Sequence, residues 1–366
     1  MCDDLCKGVN TFTSQCCIAM STDTPMSDVF TTINPFAESM DRESFAAAMR
    51  SIWSFKLTNL IYAWFPPVLI IGGTIGNFLV IAVSRTPHFK RSPATILMLL
   101  LACSDLFILH TQLTRFWLNS VTPTNIGPKT DIECQLLSLA TYVGFDTSSM
   151  TVVMISMERA VTVTQPLKAK IWLTRKRITR TWVSLVWAFL LVNDTELMRT
   201  ISNIWYYVDF CLFAGVPIPL VVGANIIIVL SLKTSHNRRQ KMQASQHEMQ
   251  LPEQNVDIKK KPGTSQLTVM LLLMSSGFCL CTFPVIVYPF IVNALFPNVH
   301  IDLESFGLAY LVNAFLGMLL FLNYAINFML YCLGGTKFRL ALKEMLCCCK
   351  EKKTHSQAPN PTLSTE

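Results

Sequence analysis

Charge is scarce in this chain: 14% of its 366 residues are Asp, Glu, Lys or Arg, 51% are hydrophobic, and mean hydropathy is +0.42. An ordinary soluble domain carries about 25% charged residues, so that class is excluded. The first 50 residues contain no apolar run and are rich in Ser, Thr, Asp and Cys. Met1 therefore begins no cleavable leader, and the first apolar stretch is expected to act as a signal anchor. No internal repeat is present, and neither half has the paired broken helices of many transporters. No set of nucleophile, base and acid shares a compartment, so no enzyme is expected.

What the chain has instead is seven long apolar stretches, near 60–84, 95–118, 134–157, 181–193, 204–232, 266–293 and 306–333. A helix crossing a bilayer needs about 20 mostly apolar residues. The connections 85–94, 158–180, 233–265 and 334–366 hold 3, 6, 7 and 6 Lys or Arg, leaving Arg159 to span three, whereas 119–133, 194–203 and 294–305 hold 1, 1 and 0. The positive-inside rule makes the basic set cytoplasmic, so the N-terminus is expected outside and the C-terminus inside. The net charge of +7 is thus topology, not a nucleic-acid footprint. The expected fold is all-α: a seven-transmembrane bundle over 58–333, after an extracellular tail over 1–57. An amphipathic membrane-surface helix and Cys cluster over 334–349 and a cytoplasmic tail over 350–366 follow it.

Ionisable groups inside hydrocarbon are costly and single out candidate sites. Asp105 lies mid-way along span two, with Asn77 in span one, Asp146 and Ser148 in span three, and Asn323 and Asn327 in span seven. Asn323 and Asn327 share a helix face. Converging oxygens would suit a small hard cation, and equally would order the helices as a hydrogen-bonded polar core. Glu158-Arg159-Ala160 ends span three. Its two charges read either as a breakable pair that frees an always-charged guanidinium, or as ordinary boundary charges that snorkel.

Taken in order, one motif to a span, these residues resemble the rhodopsin-like (class A) G-protein-coupled receptors over about 58–345. The match runs through Gly76-Asn77, Leu101-Ala102-Cys103-Ser104-Asp105, Cys134, Glu158-Arg159-Ala160, Trp187, Pro219, Phe278 to Pro284, and Asn327-Phe328-Met329-Leu330-Tyr331. The run 327–339 looks like invertebrate neuropeptide receptors of the FMRFamide and myosuppressin type. The resemblance implies a sodium ion, the one cofactor-like group expected, held by Asp105 with Ser148, Asn323 and Asn327. It implies a switch built on Glu158, Arg159, Pro219, Phe278, Pro284, Asn327 and Tyr331, with Ser149 in the connector. Pro284 would free a carbonyl and bend span six. Ala160, Thr282, Phe328, Ile227 and Thr264 depart from the family pattern. Its members also carry a longer span four and a loop Cys that pairs with the one matching Cys134. Here Trp182 to Val192 is 11 residues long, and Cys211, placed within span five, is the only Cys between spans three and six. The bridge is then absent, or Cys211 sits higher, or about 20 residues have been lost.

Candidate pocket groups are Gln112, Arg115, Tyr142, Tyr288, Tyr310 and Asn313, with Phe116, Trp117 and Phe145 for aromatic contacts. Thr141 stands where amine receptors carry Asp, and span seven has no Lys for a retinal Schiff base. Asp131, Glu133, Asp302 and Glu304 form an acidic rim suited to a basic peptide, or are simply solvated. Asn193 opens the only glycosylation sequon, and Cys2, Cys6, Cys16 and Cys17 can pair among themselves. Cys347, Cys348 and Cys349 follow the amphipathic helix as palmitoylation candidates beside Lys350, Lys352 and Lys353, which anionic lipid would attract. The expected function is a plasma-membrane receptor for a neuropeptide, coupled to a heterotrimeric G protein, with arrestin, a receptor kinase and membrane lipids as further partners. A truncated, non-signalling isoform and a transporter or channel are the alternatives.

Overall fold

The computed structural model describes residues 51–87, 89, 93–122, 130–192, 208, 210–248, 266–299 and 302–355. Among them there is no strand. Span one is Trp53–Ser84, and span two runs from Pro93–Ile108 through a π-helical turn, Leu109–Leu113, to Thr114–Val121. Span three is Asp131–Thr164, followed by a short helix, Pro166–Trp172, and by span four, Arg175–Val192. Span five is a second π-helical turn, Cys211–Gly215, continued by Pro217–Glu248; span six is Gln266–Leu295. Span seven is Leu303–Ala325 and, beyond a break at Ile326, Asn327–Gly334, before a last helix, Thr336–His355.

Where its residues are described, each stretch expected from the sequence is a helix, but the ends differ. Span four starts at Arg175 rather than 181, so its 18 residues reach about 27 Å, close to a bilayer core. Spans three and five run past their apolar limits to Thr164 and Glu248, because backbone hydrogen bonding does not stop where hydropathy does. Among the described residues, five helices, spans one, two, five, six and seven, are long and apolar enough by themselves to cross a membrane. Span three misses that mark because it is central and turns its polar residues inward: Thr141, Asp146, Thr147, Ser148, Ser149, Thr151 and Ser156 are all buried. Thr130 begins span three with a Thr-x-x-Glu cap, its Oγ1 accepting from the Glu133 N–H at 3.2 Å.

Spans one and seven lie against each other, and span three sits between spans two and five. Gly73 permits a close approach, since a Cβ there would stand 3.0 Å from the Ala325 backbone and 2.6 Å from Leu109 Cδ1. Two apolar clusters fill the interior. One holds Val80, Leu101, Val152, Met274, Phe278 and Tyr331, the other Leu109, Phe213, Val285, Met318 and Tyr324. Asn77, Asp105, Ser148 and Asn327 fall between the two along their helices, forming a polar layer across the bundle. The outside is apolar in turn: Trp64, Val68, Ile71, Ile75 and Phe78 repeat at helical spacing along the exposed face of span one. That inverted surface suits hydrocarbon as the surrounding medium.

Candidate functional site

Asp105 is fully buried, and two spans bring donors to it. Asn327 Nδ2 donates to Oδ2 at 2.7 Å and Ser148 Oγ to Oδ1 at 3.2 Å. Asn77 lies in the same layer and ties span one to the break in span seven, its Nδ2 donating to the carbonyl oxygens of Gly73 at 3.0 Å and Tyr324 at 2.9 Å. Its own Oδ1 is buried with no hydrogen-bond partner. Asn323 is buried too. The Asp105 carboxylate, the Ser148 hydroxyl and the Asn77 oxygen are the hard oxygen atoms that a sodium ion requires, so the donor chemistry fits that ion. Asn327 presents its amide nitrogen to Asp105, and its amide would have to turn to offer oxygen.

At the other end of span three, Glu158 and Arg159 are 4% and 5% exposed and form a forked pair. Arg159 Nη2 donates to Glu158 Oε1 at 2.6 Å and Nε donates to Oε2; Thr162 Oγ1 also donates to Oε1, at 3.2 Å. Both side chains are buried in the bundle rather than turned outward. Tyr331, 1% exposed, packs on Phe338 with ring centroids 5.8 Å apart, and its hydroxyl makes no hydrogen bond. Phe278 is buried in the same cluster. Pro284 lies inside the span-six helix.

Pro219 does not join this network. It is exposed, whereas Pro217 is buried on the face that also carries Phe213, Val221, Ala224 and Ile228. Two residues turn a helix by about 200°, so the two prolines cannot share a face. Pro217 lacks the N–H that would serve the Phe213 carbonyl four residues back. Ser149 Oγ donates to that carbonyl instead, at 2.6 Å. This explains a polar residue at a position where the resemblance leads one to expect an aliphatic one. Eight residues beyond Pro217, Asn225 Oδ1 accepts from Ser275 Oγ at 2.9 Å and ties span five to span six. Sequence reasoning missed Asn225, as it did the bond from Trp182 Nε1 to Thr151 Oγ1, 2.9 Å, between spans four and three.

In the outer half, Gln112 lies within the π-helical turn of span two and accepts from Thr141 Oγ1 at 2.9 Å. Tyr310 stacks on Phe55 at 5.6 Å and meets Tyr62 edge-on at 6.2 Å, and Tyr62 meets Phe116 at 4.8 Å. Tyr142 is buried, and Arg115 and Asn313 are half-buried. Tyr288 is committed elsewhere: its hydroxyl donates to the Ala309 carbonyl at 2.7 Å, joining spans six and seven. Phe145 packs against Phe213 and Tyr324 as core, with centroids 5.7 and 5.8 Å away. Of the acidic rim, Asp302 caps span seven, accepting from the Ser305 N–H at 2.9 Å, and those bonds hold its carboxyl below the usual range. Cys211 begins the π-helical turn of span five as an exposed free thiol. The side chains of Cys134, Cys347, Cys348 and Cys349, and the whole of Asn193, lie outside the described residues, as do Cys2, Cys6, Cys16 and Cys17.

Two family profiles match. Residues 76–198 match the 7 transmembrane receptor (rhodopsin family), and 190–349 match the serpentine type 7TM GPCR chemoreceptor Srw. Both profiles describe seven-transmembrane receptors, to which the chain is similar over 76–349, and together with its long apolar helices they support a multi-pass membrane protein. It is 26% identical over 324 residues to the FMRFamide peptide receptor frpr-18 of Caenorhabditis elegans, covering 77% of this chain and 68% of that one. It is 26% identical over 332 residues to the thyrotropin-releasing hormone receptor of Mus musculus, covering 80% of each. With neuromedin-U receptor 2 of Homo sapiens it shares 23% over 345 residues, covering 86% of this chain and 77% of that one.

Proposed function

We propose that this chain is a plasma-membrane receptor for a peptide, with its N-terminus outside, which transmits binding to a heterotrimeric G protein. The carrying observation is the buried fork between Glu158 and Arg159. A guanidinium held out of water by one carboxylate is a latch that a conformational change can open. The relatives named above supply the ligand class, all three being receptors for peptides or peptide hormones. Thr141, bonded to Gln112 where an amine receptor would carry an acid, agrees with that class.

Peptide binds among the outer halves of spans two, three, six and seven, against Gln112, Arg115, Tyr142, Tyr310 and Asn313. The inner half answers through the Ser149–Phe213 bond beside Pro217, through Phe278 and the Pro284 bend, to Arg159 and Tyr331. Asp105 and Ser148 would hold a sodium ion, whose charge would favour the resting arrangement of these spans. Cys134 takes part in a disulfide, Asn193 carries a glycan, and Cys347, Cys348 and Cys349 carry palmitate. Arrestin and a receptor kinase act on the cytoplasmic tail.

The test is surface staining of intact cells combined with nucleotide exchange on a G protein, across a library of amidated and free peptides. At least one peptide should stimulate exchange, and Arg159→Ala should abolish that response while sparing peptide binding. Full exchange by Arg159→Ala would remove its assigned role. Internal retention with no response to any peptide would instead favour a non-signalling form.

A further inference from the structure

The connection from span three to span four carries charge of one sign. From Val161 to Val192 the sequence holds the cations Lys168, Lys170, Arg175, Lys176, Arg177 and Arg180 and no Asp or Glu. Glu158, the last acid before them, is buried against Arg159, and the next along the chain is Asp194. All six cations are exposed. Among them the short helix Pro166–Trp172 holds Leu167, Ile171 and Trp172 at 78%, 64% and 59% exposure. Lys168 Nζ stands 6.0 Å from the Trp172 ring centre, and Arg177 Nη1 donates to the Ile171 carbonyl at 3.1 Å, tying the start of span four to the end of that helix.

The two features form one surface. Lys176, Arg180, Val183, Trp187 and Leu191 follow each other at intervals of three or four along span four, and so lie on one face. All are exposed. The face is cationic at the end that the positive-inside rule assigns to the cytoplasm and apolar along the rest. A protein partner would account for the cations but would not reach the apolar stripe inside the membrane. An anionic phospholipid matches both ends of the face.

We propose that this face of span four is a binding site for an anionic phospholipid of the inner leaflet. The headgroup phosphate sits among Lys176, Arg180 and the neighbouring Lys168 and Arg177, and the acyl chains lie along Val183, Trp187 and Leu191. Ile171 and Trp172 enter the interface beside it. The proposal rests on the topology in the functional reading above, and it needs neither ligand nor G protein.

The test reconstitutes the full chain in phosphatidylcholine membranes containing a minor share of phosphatidylserine or a phosphatidylinositol bisphosphate. Retained lipids are counted by mass spectrometry after transfer to detergent. Anionic lipid should be retained about tenfold over phosphatidylcholine, falling as salt rises. K176Q/R180Q should lower that retention about fivefold, whereas K176R/R180K should keep it. K233Q/K241Q on span five should leave it unchanged. Retention by the wild-type chain that ignores headgroup charge and salt overturns the proposal, whether or not the variants fold. So does a K176Q/R180Q variant that keeps its anionic lipid, which would leave these cations to a protein partner. Because no peptide or G protein is present, failure here leaves the receptor reading standing, and failure of peptide-stimulated exchange leaves the lipid counts unaffected.

Discussion

Replacing Glu158 by Gln removes the charge that Arg159 faces while keeping its shape. Both side chains are about 95% buried, and three donors converge on the carboxylate: Arg159 Nε, Arg159 Nη2 and Thr162 Oγ1. Breaking a buried pair by deleting one partner costs about 3–5 kcal/mol, chiefly because the other charge is left uncompensated. Gln retains one oxygen acceptor, so about 2 kcal/mol of that loss is expected, a factor of about 30. An active state in which Arg159 has already left Glu158 does not bear this cost, so the whole of it falls on the resting state. A receptor about 1% active without ligand would rise to about one quarter active. The assay is ligand-free nucleotide exchange on a G protein with purified Glu158→Gln in vesicles, alongside thermal unfolding. Basal exchange should rise at least tenfold and the unfolding temperature should fall. A lower unfolding temperature with unchanged basal exchange would refute the latch and leave the pair as structural support alone.

Asp105→Asn should abolish any effect of sodium on agonist affinity, measured by competition binding with sodium replaced by a larger cation; persisting sensitivity would move the ion elsewhere. Ser149→Ala should lower stability by about 1–3 kcal/mol, since it removes the hydroxyl that serves the Phe213 carbonyl where Pro217 offers no N–H. In a Pro217→Ala background, which restores a backbone N–H to that carbonyl, the same substitution should cost much less, and equal costs in both backgrounds would break the link between them. The Asp302 cap has a lowered carboxyl pKa, so its stabilising bonds are present above the unfolded value of about 3.9 and are lost only as pH falls through the still lower folded value. Exchange of the Ser305 amide should therefore stay slow through pH 4 and quicken only in stronger acid; quickening near pH 5 would contradict the cap.

Hydropathy located all seven helices because lipid demands an apolar exterior, and it misjudged their ends for the same reason. Arg175 to Thr181 of span four and Lys233 to Glu248 of span five are helical without being apolar, so a scale that reads solvent preference stops short of where hydrogen bonding stops. Asp105, Ser148 and Asn327 were legible because each is a polar residue in an apolar stretch, where its cost demands a partner. The connector was not legible in that way. Two prolines two residues apart are equivalent in composition, and the resemblance selected Pro219, while the buried face selects Pro217. The signal was nevertheless present. A proline inside a helix leaves the carbonyl four residues earlier without its donor, Phe213 for Pro217 and Gly215 for Pro219, and the unexplained hydroxyl of Ser149 was the donor in search of an acceptor. Following each helical proline back by four residues, and asking which neighbouring span offers a hydroxyl or amide at that depth, converts an ambiguous motif match into a question of hydrogen-bond satisfaction. Asn225 yields to the same reasoning, since it is half-buried beside Ala224 on the side of span five that meets span six, where an unpaired amide would be costly.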